Sequence, residues 1–217
     1  MKRLTFSHIL KNILVLIILL TPLYVFHLNS VVVDYFSQKN NPETLDYKQQ
    51  PVTIVNMLLL TEDQSFFKHP GVDFKEIARV VRDYLLHDKP LRGASTLTQQ
   101  IVKNALLTRE RQLSRKIKEI IMALLLEASF DKGFILNYYM NTVYLGQNGK
   151  HAIHGFINGA QFYFNKKVEN LSLEEMATLV ALVKGPSYYH PIKHPQRLAE
   201  RRQLVLRLYH KYEKIVK

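Results

Sequence analysis

The sequence predicts a mainly α-helical domain carried on an N-terminal transmembrane helix. Three observations carry that reading. There are only 8 glycines and 8 prolines in 217 residues. Apolar residues recur at helical spacing from Val52 onward, and a nearly unbroken apolar run lies close to the N-terminus. No βαβ alternation, internal repeat or low-complexity tract breaks the pattern. Hydrophobic residues make up 47% and charged residues 22%, the balance of a globular chain and not of a disordered one. The length suits one domain with a real core plus an anchor.

The anchor comes first. Lys2, Arg3 and Lys11 precede an apolar run from Ile13 to Phe26 that only Thr21 and Pro22 interrupt. Extended through Leu28 to Val33, it reaches the roughly 20 residues a bilayer span needs. Its core alone has the length of a signal-peptide apolar region. The first alanine, however, is Ala78, so no A-x-A cleavage site follows and an uncleaved anchor is the better reading. With the basic residues held in the cytoplasm, everything after residue 33 lies outside. The expected organisation is a cytoplasmic basic tail at 1–11, a transmembrane anchor at 12–33, a linker at 34–50 and a globular domain at 51–217. Asn40-Asn41-Pro42 and Pro51 mark the linker.

Within the domain, Ile117, Ile120, Ile121, Leu124 and Leu125 form one apolar face at i, i+3, i+4, i+7 and i+8. Ser172 and Glu175 make a capping box before Met176, Leu179, Val180 and Leu182, and Gly185-Pro186 stops that helix. Pro195 suits the first turn of a last helix that runs to about Lys214.

The net charge of +12 implies an anionic partner: nucleic acid, an anionic membrane face or a phosphorylated substrate. With no cysteine there is no disulfide framework and no zinc–cysteine site, which fits an oxidising exterior. Among 9 histidines only His190 and His194 have H-x-x-x-H spacing. A proline follows each, so they do not share a helix face, and no metal site is expected.

Four clusters break the packing pattern. Glu62-Asp63-Gln64-Ser65-Phe66-Phe67-Lys68-His69-Pro70-Gly71 pairs two carboxylates with aromatics, a histidine and a turn glycine, directly after the apolar run Val52–Leu60. An arbitrary Glu-Asp pair is more often a solvated helix end. Gly93-Ala94-Ser95-Thr96-Leu97-Thr98-Gln99-Gln100, followed by Lys103 and Asn104, carries a hydroxyl or an amide on every side chain from Ser95 to Gln100 except Leu97. It can donate many hydrogen bonds to a sugar or phosphate, and Ser95 or Thr96 can also cap a helix. In Arg115-Lys116-Ile117-Lys118-Glu119, Glu119 falls roughly opposite the apolar stripe, free to face solvent or a cleft. A lone Glu among three cations is usually a surface network of little net energy. Tyr138-Tyr139-Met140-Asn141, leading to Tyr144-Leu145-Gly146-Gln147-Asn148-Gly149, reads as a helix ending in a glycine-punctuated loop.

From about Pro51 to Tyr209, these clusters together resemble glycosyltransferase family 51, the peptidoglycan polymerase domain of bifunctional penicillin-binding proteins and monofunctional transglycosylases. The matching motifs are E-D-x-x-F-x-x-H-x-G, G-x-S-T-L-T-Q-Q with K-N, R-K-x-x-E, I-L-x-x-Y-x-N, and L-x-L-x-E-x-A-x-L ending in Lys184-Gly185-Pro186-Ser187. Five in order are specific. The loop Leu145–Gly149 through Gly155-Phe156 resembles the enterobacterial bifunctional subgroup.

The resemblance implies a lysozyme-like, two-lobed domain that polymerises lipid II into β-1,4 glycan with inversion and expels undecaprenyl diphosphate. It implies Glu62 as general base and Glu119 as a second essential carboxylate. Lys103, Arg115 and Lys116 would neutralise the leaving diphosphate, with Ser95, Thr96, Thr98, Gln99 and Gln100 as binding donors beside Gly93 and Asn104. Asp63 and His69 would support the site. No cofactor is implied with certainty, although magnesium or manganese bridging the diphosphate is compatible with the chemistry. The implied location is the bacterial inner membrane with the domain outside. The implied partners are lipid II, the growing glycan, membrane lipid and other cell-wall synthesis or division proteins, and no nucleic acid. Ile77, Val81, Tyr84 and Leu85 lie at helical spacing and suit partial insertion into lipid, or else an ordinary core stripe. Ser65–Lys68 and Ser129–Lys132 both spell S-x-x-K, but no K-T-G accompanies them and no transpeptidase domain is expected. The alternatives are a lysozyme-like enzyme that cleaves glycan and an inactive membrane-tethered cell-wall scaffold.

Overall fold

The computed structural model describes residues 6–38, 46–90, 93–108, 112–212 and 215. Lys2, Arg3, the Asn40-Asn41-Pro42 stretch and Lys214 lie outside them. The described chain is mainly helical, as the sequence predicts.

The first helix, α1 (Phe6–Ser37), has two characters. Its first half displays apolar side chains outward, with Leu23 66% and Phe26 73% exposed. The stretch Leu10–Ser37 is long and apolar enough to cross a membrane. Thr21 returns its hydroxyl to the Ile17 carbonyl at 2.7 Å, so it leaves no free donor on that surface. From Leu28 onward the helix packs on the domain: Leu28, Val32 and Phe36, four apart, are buried. The Phe36 ring meets Phe130, Phe134 and Tyr138 edge-on, with centroids 6.2, 6.5 and 5.0 Å away. This stripe explains why the helix runs through Asp34–Ser37, residues that the sequence assigns to the linker: packing extends the helix beyond the apolar span.

The core is built around two helices that are apolar on every side, the pattern of a buried element. In α2 (Val52–Glu62) every residue from Ile54 to Leu60 is buried. In α8 (Leu173–Val183) the same holds from Met176 to Leu182. The α8 capping box forms as predicted, with Ser172 Oγ accepting from the Glu175 amide at 3.2 Å and the Glu175 carboxylate from the Ser172 amide at 2.7 Å. The last helix, α9, begins at Pro195 as predicted, is described to Tyr212, and packs against both α2 and α8.

The other side of the core holds α4 (Leu97–Leu106), α5 (Leu113–Ser129) and α6 (Lys132–Thr142), with α4 against both of the others and α5 also against α1. Here the sequence and the structure differ. The buried residues of α5 are Glu119, Met122, Ala123 and Leu126. Ile120, Ile121, Leu124 and Leu125 are only partly buried, and Ile117 is 52% exposed. A helix packed on two neighbours has two inner faces, and periodicity picks the more apolar one. Gly71, at φ +100, lets the first motif lie against this helix, since a Cβ there would stand 2.4 Å from the Ala123 carbonyl oxygen.

Two further α-helices, α3 (Phe74–His87) and α7 (Phe156–Phe164), are accompanied by a hairpin and by short 3-10 turns at Tyr47–Gln49, Phe66–Lys68 and Val168–Asn170. β1 (Tyr144–Asn148) pairs antiparallel with β2 (His151–His154), where a loop was expected. Asn148-Gly149, with Gly149 at φ +57, is the local signal for that turn.

Candidate active site

An open cleft of about 230 Å³ is lined by Leu60 to Ser65, by Asp73, Glu76 and Arg79, and by Gly93 to Thr96. The first two motifs therefore meet there. The buried helix α2 delivers its last residue, Glu62, and its cap, Asp63, to the cleft wall. The Glu62 side chain is 5% exposed. Arg201 of α9 donates Nη2 to Glu62 Oε1 at 3.0 Å, and Gln100 Nε2 stands 3.5 Å from Oε2.

Asp63 holds the site together from beneath. Its carboxylate accepts the Leu97 amide at 2.9 Å, at the first turn of α4, where backbone N–H groups lack helical partners. It also accepts His69 Nε2 at 3.0 Å. The Gly71 amide donates to His69 Nδ1 at 3.1 Å, which places the ring proton on Nε2. Behind His69, Glu127 accepts from Thr98 Oγ1 and pairs with Lys132, whose Nζ also reaches the His69 carbonyl at 2.7 Å. No sequence motif marks Glu127, and Lys132 stands out there only as the end of an S-x-x-K pattern. Asp73 sits on the cleft wall. Burial works against its carboxylate, but hydrogen bonds from the Ser65 hydroxyl and the Glu76 amide outweigh burial and hold it below the usual range.

The second motif divides into structural and accessible residues. Thr96 caps α4: its Oγ1 accepts the Gln99 amide at 3.1 Å and donates to the Gly71 carbonyl at 2.6 Å, while Gln99 Oε1 accepts the Thr96 amide at 3.1 Å. Thr96, Thr98 and Gln99 are buried, at 2%, 0% and 1% exposure. Their hydroxyls and the Gln99 carbonyl oxygen are engaged within the protein, while the Gln99 amide nitrogen is buried and finds no partner among the described residues. Gly93, Ser95, Lys103 and Asn104 are exposed, and Gln100 is half-buried beside Glu62. Replacing Thr96 with Ala, which removes the cap and the bond to Gly71, is expected to cost about 0.5–2 kcal/mol. Chemical denaturation in detergent measures it.

In the third cluster Glu119 is buried, while Arg115 and Lys116 stay partly exposed and Ile117 faces outward. Glu119, 2% exposed, accepts from Arg115 Nη1 at 3.0 Å and pairs closely with Lys116. Lys116 Nζ also donates to Ser95 Oγ at 3.1 Å, so the cations stand beside the cleft wall that Ser95 forms. Glu119 shares the buried side of α5 with Met122, Ala123 and Leu126, a side that the apolar periodicity does not mark.

The fourth cluster supplies Tyr139, which is 3% exposed and donates its hydroxyl to Gln100 Oε1 at 2.9 Å. Burial first, then the nearby Glu62 and Asp63 carboxylates, raise the phenol well above its ordinary value. An unfolded tyrosine ionises near pH ~10, so the stability tied to the neutral phenol is complete below that pH and is lost as pH rises beyond it. Phenolate absorbance followed together with circular dichroism is expected to show Tyr139 ionising only as helix is lost. Tyr139→Phe should remove that component of the alkaline transition.

Among the described residues no group of three or more His, Asp or Glu side chains could hold an ion, and Glu119 is already neutralised by Arg115 and Lys116.

The transglycosylase family matches residues 29–210. Penicillin-binding protein 1B of Haemophilus influenzae is 44% identical over 173 residues, which is 79% of this chain and 22% of that protein. Penicillin-binding protein 1B of Escherichia coli is 43% identical over 185 residues, 84% of this chain and 22% of that protein. Penicillin-binding protein 1A of Aquifex aeolicus is 43% identical over 157 residues, 72% of this chain and 21% of that protein. The chain thus spans about a fifth of the length of the curated relatives it matches.

Proposed function

The chain belongs to the transglycosylase family, and from that premise we propose that it is a peptidoglycan glycosyltransferase that polymerises lipid II into β-1,4 glycan strands. The observation that carries this reading is the 3.1 Å contact between Lys116 and Ser95. It sets the cation pair beside the cleft that also holds Glu62.

A sugar hydroxyl that attacks an anomeric carbon needs a base, worth about 10²–10⁴ in rate. Glu62 takes the proton from the acceptor 4-hydroxyl as the new C–O bond forms and the anomeric bond to the diphosphate breaks. The displacement inverts the anomeric centre. The departing lipid diphosphate carries its own charge, so it needs neutralisation more than protonation. Arg115 and Lys116, held in place by Glu119, supply this, and the exposed Lys103 and Asn104 further along α4 would add to it. Ser95 and Gln100 remain as direct polar contacts, while Asp63 and His69 brace the wall. No step is routed through a metal.

A substrate whose tail lies in the bilayer needs the cleft near lipid. On α3, Val81, Tyr84 and Leu85 are 46%, 48% and 68% exposed, whereas Ile77 packs partly on the core. These exposures favour the lipid-contact reading over a core stripe. Together with α1 they would hold the cleft at the outer face of the inner membrane, where the +12 charge attracts anionic lipid and substrate. The two-lobed, lysozyme-like division belongs to the same proposal, as does pairing with other cell-wall synthesis or division proteins. Replacing Val81 and Leu85 by serine is expected to weaken vesicle binding without lowering the melting temperature. A lower melting temperature with unchanged binding would restore the core reading.

The test of function is incubation of the full chain with fluorescent lipid II in detergent. Glycan ladders that a muramidase digests are the expected product. Cleavage of finished glycan would favour a lysozyme-like enzyme, and bound but unconverted lipid II would favour a scaffold.

A further inference from the structure

Glu62 stands in a difficult place for a carboxylate. It ends α2, where unpaired carbonyls and the negative end of the helix dipole oppose another negative charge. Its side chain has little access to water, at 5% exposure. Two groups from distant parts of the chain offset this. Arg201, itself 14% exposed, reaches from α9 to bind Oε1 at 3.0 Å. Gln100 approaches Oε2 at 3.5 Å.

Which end of the Gln100 amide faces Glu62 is not left to chance. Tyr139 donates its hydroxyl to Gln100 Oε1 at 2.9 Å, and so turns Nε2 toward the carboxylate. A flipped amide would set its carbonyl oxygen against Glu62, acceptor facing acceptor. Burial and the two nearby carboxylates keep the Tyr139 phenol protonated, so the donor is always available. Neither Arg201 nor Tyr139 lines the cleft.

We infer that Arg201 and Tyr139 are positioning residues for Glu62, Arg201 by fixing Oε1 directly and Tyr139 by orienting Gln100 against Oε2. The inference rests on the reading of Glu62 as the base. Oε1 is engaged by a charge-assisted bond, whereas Oε2 has only a long amide contact and is the oxygen left to take the acceptor proton. The geometry also gives α9 a part in the chemistry: its arginine ties the last helix of the domain to the end of the first core helix. A base whose aim is loosened loses rate in the chemical step without losing affinity for substrate.

The experiment is steady-state polymerisation of lipid II by the full chain in detergent, with thermal melting in parallel, for wild type, Arg201→Gln, Arg201→Lys and Tyr139→Phe. Arg201→Gln is expected to lower kcat about 10–100-fold with KM changed less than about twofold. Arg201→Lys, which keeps a cationic donor but loses the planar fork, should recover part of that loss. Tyr139→Phe, which removes one oxygen, should lower kcat about 3–10-fold. All three proteins should melt as folded proteins, so a smaller folded fraction does not account for the loss. An unchanged kcat, a rise in KM alone, or an Arg201→Lys variant no better than Arg201→Gln would overturn the positioning role while leaving Glu62 as the base. A folded wild type that binds lipid II and makes no polymer would overturn the base reading itself, and the positioning role with it.

Discussion

Replacing Glu62 with Gln is expected to reduce polymerisation about 10²–10⁴-fold, through kcat and with lipid II still bound. The loss corresponds to about 3–5 kcal/mol of transition-state stabilisation. Glutamine keeps the shape of the side chain and can still accept a hydrogen bond from Arg201, but its amide cannot take the proton of the attacking hydroxyl. The cation pair beside Ser95 is untouched, so binding of the diphosphate should persist. A rate within about threefold of wild type would remove Glu62 from the base role and leave its burial beside Arg201 a structural matter.

The second large effect is expected at Glu119. Its side chain is 2% exposed and pairs with both Arg115 and Lys116, one oxygen to each. Removing one member of a buried ion cluster costs about 3–5 kcal/mol. The two cations here are 21% and 37% exposed and keep part of their hydration, so the lower end of that range applies. For Glu119→Ala a loss of about 3 kcal/mol corresponds to a melting temperature lower by about 6–12 °C in a chain of this size. Freed of their partner, Arg115 and Lys116 would no longer be held beside the cleft wall, so KM for lipid II should rise as kcat falls. The more conservative Glu119→Gln should melt closer to wild type and still show the kinetic defect. If Glu119→Gln kept full activity, Glu119 would serve the fold alone.

The elements that local rules decide were legible in the sequence. The buried helix before Glu62, the Ser172–Glu175 capping box, the proline that opens α9 and the apolar N-terminal helix all follow from residue type and spacing. The family also emerged from motifs in their order. What escaped was set by tertiary partners. The sequence leaves Glu119 free to face solvent or a cleft because periodicity finds only the most apolar stripe, whereas α5 packs against both α4 and α1 and buries a second face. Thr96 caps α4, as the sequence allows, but the bonds that join its hydroxyl to Gly71 and the Thr98 hydroxyl to Glu127 depend on residues far away in the chain. Arg201 lies 139 positions from Glu62 in a basic helix where nothing local sets it apart from Arg197 or Arg202. The hairpin was missed although Asn148-Gly149 signals it, because Gly146 and Gly149 were read as loop punctuation. Helix α1 passes its expected end because Phe36 finds an aromatic pocket formed by Phe130 at the end of α5 and by Phe134 and Tyr138 of α6, which no local rule contains.

The most direct measurement is the balance of products in a time course with purified chain and radiolabelled lipid II. If the cleft joins sugars by displacing a lipid diphosphate, one undecaprenyl diphosphate should appear for each glycosidic bond formed, with the glycan lengthening in step. Soluble fragments from finished glycan, with lipid II left intact, would contradict that account.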